Sequence, residues 1–297
     1  MKKHLIICLV TGLFAGTIIF GAVTFSGVQN GKTRQGPYLG ENPPGLRPQV
    51  LGKDFVSTPA VSEFSCCFSQ DAREFYFARQ IGPQNFTIFY TQEMSQGWTE
   101  PAPAPFSGEY FNHEPHISSD GKKIFWGSVR PLPDGEEKYA VWVADRTTEG
   151  WGIPSPLGFE AMYITTTKNG VIYYTARGRG GACIARTEPD NGEFLHTLLA
   201  EPILSDYWDG HPCIAPDESF LIFDSENRPE QELCGLFISF RTDNNQWTQP
   251  QNMKSAISKG RFAMLSQDGK YLFFSAPGEG EGKDLYWVDI KIIEEFR

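Results

Sequence analysis

The sequence predicts an all-β chain folded as a β-propeller, and three observations carry the prediction. A short motif recurs five times, as FSQDAREFYFA (68–78), ISSDGKKIFWG (117–127), TTKNGVIYYTA (166–176), IAPDESFLIFD (214–224) and LSQDGKYLFFS (265–275). Each copy reads as an apolar strand, a tight turn bearing Asp or Asn, and a second strand rich in aromatics. The turn residues Asp71, Asp120, Asn169, Asp217 and Asp268 are spaced by 49, 49, 48 and 51 positions. A period near 50 built only of strands and turns is the signature of a propeller blade. Chain length favours five four-stranded blades. A sixth would need roughly 40 further residues, or shorter blades.

Lys2, Lys3 and His4 precede an uncharged apolar run from Leu5 to Phe25. A charged start before an apolar stretch is an export signal, and 21 apolar residues are also enough to span a bilayer. Residues 1–25 are therefore expected to be a signal peptide or an N-terminal membrane anchor. No good small-x-small cleavage site is present, Thr24-Phe25-Ser26 coming nearest. Leu13-Phe14-Ala15-Gly16 resembles a lipobox, but Thr17 stands where an acylated Cys belongs, so a lipoprotein ranks last. The lysines should stay cytoplasmic and the bulk of the chain should be exported, to the periplasm or beyond. Residues 26–45, polar and rich in Gly and Pro, read as a linker, and residues 46–297 as the propeller domain.

Within each repeat the first strand leads into the turn, as in Glu114-Pro115-His116-Ile117, and the second follows it, as in Ile124-Phe125-Trp126. A third strand comes after a variable loop: TIFYTQ (87–92), AVWVAD (140–145), ACIART (182–187), GLFISF (235–240) and DLYWVD (284–289). Three repeats then carry Trp-x-x-Pro, at Trp98/Pro101, Trp151/Pro154 and Trp247/Pro250. Proline there suits an outer edge strand, where it costs no ladder bond. The last repeat stops at its third strand. Leu46 to Leu51 looks like the missing fourth, so the ring is expected to close by pairing both chain ends in the last blade. The turn carboxylates are turn formers, since Asp and Asn bond their own backbone two residues on. They are not nominated as catalysts.

The formal net charge is −10 and aromatics make up 14% of the chain. An acidic exported domain lacks the Lys/Arg excess that phosphate backbones draw on, so neither a nucleic-acid partner nor direct adhesion to an anionic membrane surface is expected. Outside the export segment the chain has Cys66, Cys67, Cys183, Cys213 and Cys234. Their spacing matches no zinc pattern. Disulfides are allowed in an oxidising compartment, but buried small hydrophobes are the expected role.

The repeats resemble the WD40-like repeats of TolB-type propellers, whose turn reads close to Ser-Pro-Asp-Gly-Lys before an Ile/Leu-Tyr-Phe strand. LSQDGKYLFFS matches with Gln267 for Pro, and IAPDESFLIFD keeps Pro216-Asp217 with Glu218 for Gly. The stretch from Trp208 to Arg297 is similar to a group of exported bacterial propellers, through Asp209-Gly210-His211-Pro212, Ala215 to Glu218, Leu221 to Ser225, Leu236 to Phe240 and Tyr286 to Asp289. In blade 4 the Gly-rich loop expected before the third strand is replaced by residues 226–235, and Cys66 stands where blades 2 and 4 have Pro115 and Pro212. The resemblance implies a propeller that binds other molecules. It transfers no catalytic residue set and no cofactor.

A propeller site lies at a mouth of the central channel. Aligned on the turn, the residues six positions earlier are Ser65, Glu114, Tyr163, His211 and Phe262. Seven earlier lie Phe64, His113, Met162, Gly210 and Arg261, and four earlier Cys67, His116, Thr165, Cys213 and Met264. The ligand-binding candidates are His113, Glu114, His116, Asp209, His211 and Arg261. A metal or acid–base site is the sharper reading, because His titrates near neutrality and ligates metals with Cys and carboxylate. The plainer reading is that these groups satisfy backbone at the mouth, since adjacent offsets should point to opposite sides. No metal is assigned. A glycosidase would need two or three inward carboxylates, and only Glu114 stands in the aligned rows, with Glu63, Glu160 and Asp209 just upstream. No Gly-x-Ser-x-Gly elbow is present, and Gly178 to Gly181 reads as a loop rather than a phosphate cradle. Tyr110-Phe111, Tyr207-Trp208 and Trp151 could stack on sugars or anchor a protein, although Trp98, Trp151 and Trp247 recur in phase and so fit packing between blades. The expected role is non-catalytic binding of an envelope protein or glycan by a monomer, with a glycan-active hydrolase as the alternative.

Overall fold

Five antiparallel sheets follow one another along the chain in the computed structural model, which describes residues 28–29, 32–190, 193–226 and 235–297. Blade 1 holds Glu63–Phe68, Glu74–Gly82 and Asn85–Met94, with Gly97–Trp98 and Ala102–Pro103 outside. Blade 2 repeats this with Asn112–Ile117, Lys123–Ser128 and Ala140–Thr147, then Gly150–Trp151 and Ser155–Pro156. Blade 3 is Met162–Thr166, Ile172–Gly178, Gly181–Asp190 and Glu193–Leu198. Blade 4 is Trp208–Ile214, Phe220–Glu226, Gly235–Phe240 and Gln251–Asn252. Blade 5 is Arg261–Leu265, Tyr271–Pro277 and Lys283–Asp289, completed by the N-terminal Gln49–Val50. Each first strand contacts the first strands of the blades before and after it, and blade 5 returns to blade 1. The architecture is a five-bladed β-propeller.

The closing strand falls where the missing fourth strand was expected. Val50 pairs with Tyr286 and Gln49 with Trp287, and the Leu51 amide donates to the Leu285 carbonyl at 2.8 Å. The turns also behave as read. Asp120 accepts from the Ser118 hydroxyl at 2.6 Å and the Lys122 amide at 3.0 Å, and Asp268 likewise from Ser266 and Lys270. Those donors hold both carboxyls below the usual carboxylate value.

A middle strand buried on both faces divides its side chains between two neighbours. Phe75 and Phe77 join the cluster shared with blade 5 (Phe273, Trp287), whereas Tyr76 joins the one shared with blade 2 (Trp126, Trp142). Phe125 packs with Ile164 and Tyr174 of blade 3, Tyr173 with Leu221 and Phe223 of blade 4, and Ile222 with Phe274 of blade 5. Each interface thus has its own apolar core. Trp98, Trp151 and Trp247 belong to these clusters, as their phase suggested. Cys66, Cys67, Cys183 and Cys213 are buried and free, while Cys234 lies outside the described residues.

Some details differ from the sequence reading. Pro101 and Pro154 sit in the break between two short outer pairings, and the prolines inside outer strands are Pro103 and Pro156. Blade 3 lacks the Trp-x-x-Pro segment and carries the longest outer strand instead. Residues from Arg34 onward, within the stretch read as linker, pack on the domain. Leu39 is fully buried, the Arg34 guanidinium pairs with Glu41 at 3.0 Å, and the Trp98 indole donates to the Gly36 carbonyl at 2.9 Å. The C-terminal 3-10 turn Ile290–Phe296 seats Ile292, Ile293 and Phe296 in the blade 4–blade 5 core. Among the described residues no helix is long and apolar enough to cross a membrane. The export run 1–25 lies outside them.

Candidate functional site

Every first strand carries a β-bulge at the same place. Its extra residue is Ser65, Glu114, Tyr163, His211 or Phe262, with φ of 47°, 57°, 46°, 49° and 55°. These are the residues six positions before each turn. Left-handed backbone is unfavourable for such side chains, at roughly 1–3 kcal/mol each, and is kept where surrounding contacts over-determine it. A bulge also suspends the strict alternation of a strand and re-aims a side chain. Glu114, Tyr163, His211 and Phe262 consequently converge. The Tyr163 and His211 rings lie 4.9 Å apart, those of His211 and Phe262 4.5 Å, and the Tyr163 hydroxyl donates across to the blade 5 carbonyl of Ala263 at 2.6 Å. Tyr163 is fully buried with Cys66, Met264 and Leu285, and so fills the axis.

A chain of charged and polar groups runs over this plug. His211 Nδ1 lies 2.9 Å from Asp224 Oδ2, and a carboxylate acceptor makes that nitrogen the donor. Asp224 also accepts from Arg261 Nε at 3.0 Å and from the Phe262 amide at 3.1 Å, while Arg261 Nη2 reaches Glu226 Oε1 at 2.6 Å. The His211 amide donates to Thr175 Oγ1 of blade 3 at 2.8 Å. On its other side His211 Nε2 faces Glu114 Oε1 at 3.7 Å, and His113 Nδ1 lies 3.1 Å from the same oxygen. The Tyr139 hydroxyl donates to Glu114 Oε2 at 3.3 Å. A Cβ on Gly127 would stand 2.2 Å from that hydroxyl, so only glycine lets Tyr139 reach the carboxylate. Burial alone would push the Glu114 carboxyl up. His113, His211 and Tyr139 outweigh it and hold the carboxyl below its usual value.

The mouth above is aromatic. Phe64 stands 5.0 Å from Phe262 and 4.8 Å from Phe86, Phe86 6.0 Å from Phe111, and Phe111 4.9 Å from His113, while Trp208 stands 5.0 Å from His211. Phe86, Phe111, Trp208 and Phe262 are half-buried. A ligand there would meet apolar ring faces with ionised groups beneath them.

His113, Glu114, His211 and Arg261 are thus brought together. His113 and Glu114 meet although they are adjacent in sequence, because the bulge suspends the alternation that should have separated them. His116 points elsewhere. Its Nε2 lies 3.1 Å from Thr166 Oγ1 and accepts from the Thr166 amide at the blade 2–blade 3 interface, where burial pushes its pKa down to about 3. Asp209 is buried and accepts from the Ser205 hydroxyl. Glu63 pairs with Arg79 at 3.0 Å beside Thr58, and Glu160 with Arg177 on the exposed surface. Among the described residues no group of three or more His, Cys, Asp or Glu is placed to hold a metal ion. Sequence reasoning missed Asp224, Glu226 and Tyr139. A signal for Asp224 existed. Opposite the residue before each bulge the second strands carry Ala78, Gly127, Thr175, Asp224 and Ser275, and only blade 4 is charged there.

No protein-family model and no curated protein matches the sequence. Solved structures do match in shape. A TolB-designated protein of Agrobacterium tumefaciens superposes with a TM-score of 0.51 at 13% identity, over 77% of this chain and 78% of its own. TolB of Acinetobacter baumannii gives 0.46 at 13% identity, over 76% of this chain, which spans 54% of that protein. An exo-β-1,3-galactanase of Clostridium thermocellum gives 0.48 at 12% identity, over 81% of this chain and 62% of its own. Identities this low speak for the fold alone: the chain is a β-propeller similar in shape to the TolB-designated protein.

Proposed function

We propose that the chain is an exported, non-catalytic binding module whose aromatic channel mouth engages a protein or glycan of the cell envelope. The supporting observation is the state of its two central carboxylates. Glu114 is matched by His113, His211 and Tyr139, and Asp224 by His211, Arg261 and the Phe262 amide. A glycosidase needs one carboxyl whose pKa is raised so that it can donate a proton near neutrality. Glu114 is shifted the other way, and Glu63, whose carboxyl burial raises to about 7, is fully buried and paired with Arg79. His113, Glu114, His211 and Arg261 then hold the mouth in shape for a ligand stacking on the half-buried Phe86, Phe111, Trp208 and Phe262. In this reading residues 1–25 direct export or anchor the chain.

One observation favours the hydrolase reading. Glu114 and Asp224 flank a single imidazole, which keeps them within the ~10 Å that acid–base pairs span. Incubation with chromogenic aryl glycosides and envelope oligosaccharides separates the two. Binding without product release is expected, detected by quenching of tryptophan fluorescence. Turnover that vanishes in Glu114→Gln and Asp224→Asn would overturn the binding reading.

A further inference from the structure

The outer edges of the five blades are not alike. In blades 1, 2, 4 and 5 the outermost pairings are two residues long, and each blade has a proline within or just before one: Ala102–Pro103, Ser155–Pro156, Gln251–Asn252 after Pro250, and Gln49–Val50 after Pro48. Short length and proline both discourage pairing with another edge. Blade 3 ends in Glu193–Leu198, six residues without proline. From Phe194 to Leu198 it also lacks Lys, Arg, Asp and Glu. Phe194, Leu195 and Leu198 are 38%, 59% and 50% exposed, three of the ten large apolar side chains exposed among the described residues.

The register shows which backbone groups are left. Leu198 opposes Ala185, His196 opposes Thr187 and Phe194 opposes Pro189. The Leu199 amide donates to the Ile184 carbonyl at 3.0 Å, and inward bonding alternates along an antiparallel strand. Leu195 and Thr197 therefore bond inward, and the amides and carbonyls of Phe194, His196 and Leu198 face out. Among the described residues no strand pairs on that side.

We propose that this edge pairs with the same edge of a second copy of the chain, antiparallel about a two-fold axis at His196. The strand is its own complement. Setting His196 opposite its counterpart and Phe194 opposite Leu198 satisfies all three outward amides and all three outward carbonyls on each copy. Like charges directly opposed across a strand pair repel, so a charged strand cannot pair with itself cheaply. This one is free of formal charge from end to end of the pairing, which suits a partner identical to itself. The interface is isologous and closes at two copies. It departs from the monomer expected from the sequence and is independent of the channel mouth.

Cross-linking of the full chain in detergent tests the register. Opposed residues of a hydrogen-bonded pair have Cα atoms about 5.5 Å apart, inside the roughly 4.4–6.8 Å that a disulfide bridges. Under mild oxidation His196→Cys should form a covalent dimer, whereas Leu195→Cys, diagonal to its counterpart, should form far less. By sedimentation equilibrium the wild type should be a dimer, and Leu198→Lys should raise its dissociation constant by about tenfold or more with the circular dichroism spectrum of the fold unchanged. A monomeric wild type, equal cross-linking at both cysteines, a dimer indifferent to Leu198→Lys, or capture of a different protein through this edge would overturn the proposal.

Discussion

Two buried glutamates illustrate how residue type alone leaves behaviour undecided. Glu114 sits among two imidazoles and a phenol and titrates below its usual value of 4.5. Its contribution to stability is therefore full above pH 4.5 and is lost as pH falls through the lower folded value. Glu114→Gln should cost about 3 kcal/mol near neutrality, as expected when one partner of a buried charged group is removed. It should also flatten the acid limb of stability against pH in urea titrations. Glu63 behaves oppositely. Burial pushes its carboxyl up to about 7 despite Arg79 and Thr58. The folded state then favours the protonated form, so the contribution of Glu63 to stability is full below pH 4.5 and is lost as pH rises through about 7, by on the order of 3 kcal/mol. Glu63→Gln should abolish that decline. Glu114 was visible to the sequence through its offset from the turn. Tyr139, which follows a variable loop, was not, and Asp224, on a different strand, could be found only through its charge at a register position that is uncharged in the other blades.

Local chemistry fixes the turns, and long-range pairing fixes the bulges and edges. The aspartate of each turn bonds within its own few residues, so the repeat can be read directly. Asp120→Ala should cost about 1 kcal/mol in thermal or urea unfolding, the net value of a typical hydrogen bond. The bulges leave no mark in the pattern of apolar residues, because they appear only when the first strand pairs with the second. For the same reason the sequence reading assigned His113 and Glu114 to opposite sides. The closing strand was legible from a deficit, a last repeat one strand short. Its anchor is Leu51, fully buried against blades 1 and 5. Leu51→Ala should destabilise by roughly 2–5 kcal/mol, the range for emptying a packed leucine site, and calorimetry would measure it.

Each blade is apolar on both faces and finds no partner within itself, so stability belongs to the ring. Five interfaces with separate cores, one of them made only when the chain ends meet, should unfold as a cooperative unit. The described cysteines take no part in holding it, since burial pushes the thiols of Cys66, Cys67 and Cys213 well up from their usual values and all four are free. Added reductant should therefore leave the melting temperature of the ring unchanged, which differential scanning calorimetry checks directly.

By itself the sequence determined the propeller architecture with five blades favoured, the turn chemistry, the strand that closes the ring and the short list of residues from which a site could be drawn. Those features rest on local hydrogen bonds and on a period that survives in one dimension. The tertiary structure decided which listed residues meet. It turned five residues into left-handed backbone, set His211 between Asp224 and Glu114, sent His116 into a blade interface and filled the axis with Tyr163. None of this is periodic, because convergence at the axis depends on side chains from different blades whose separation in space bears no relation to their separation along the chain.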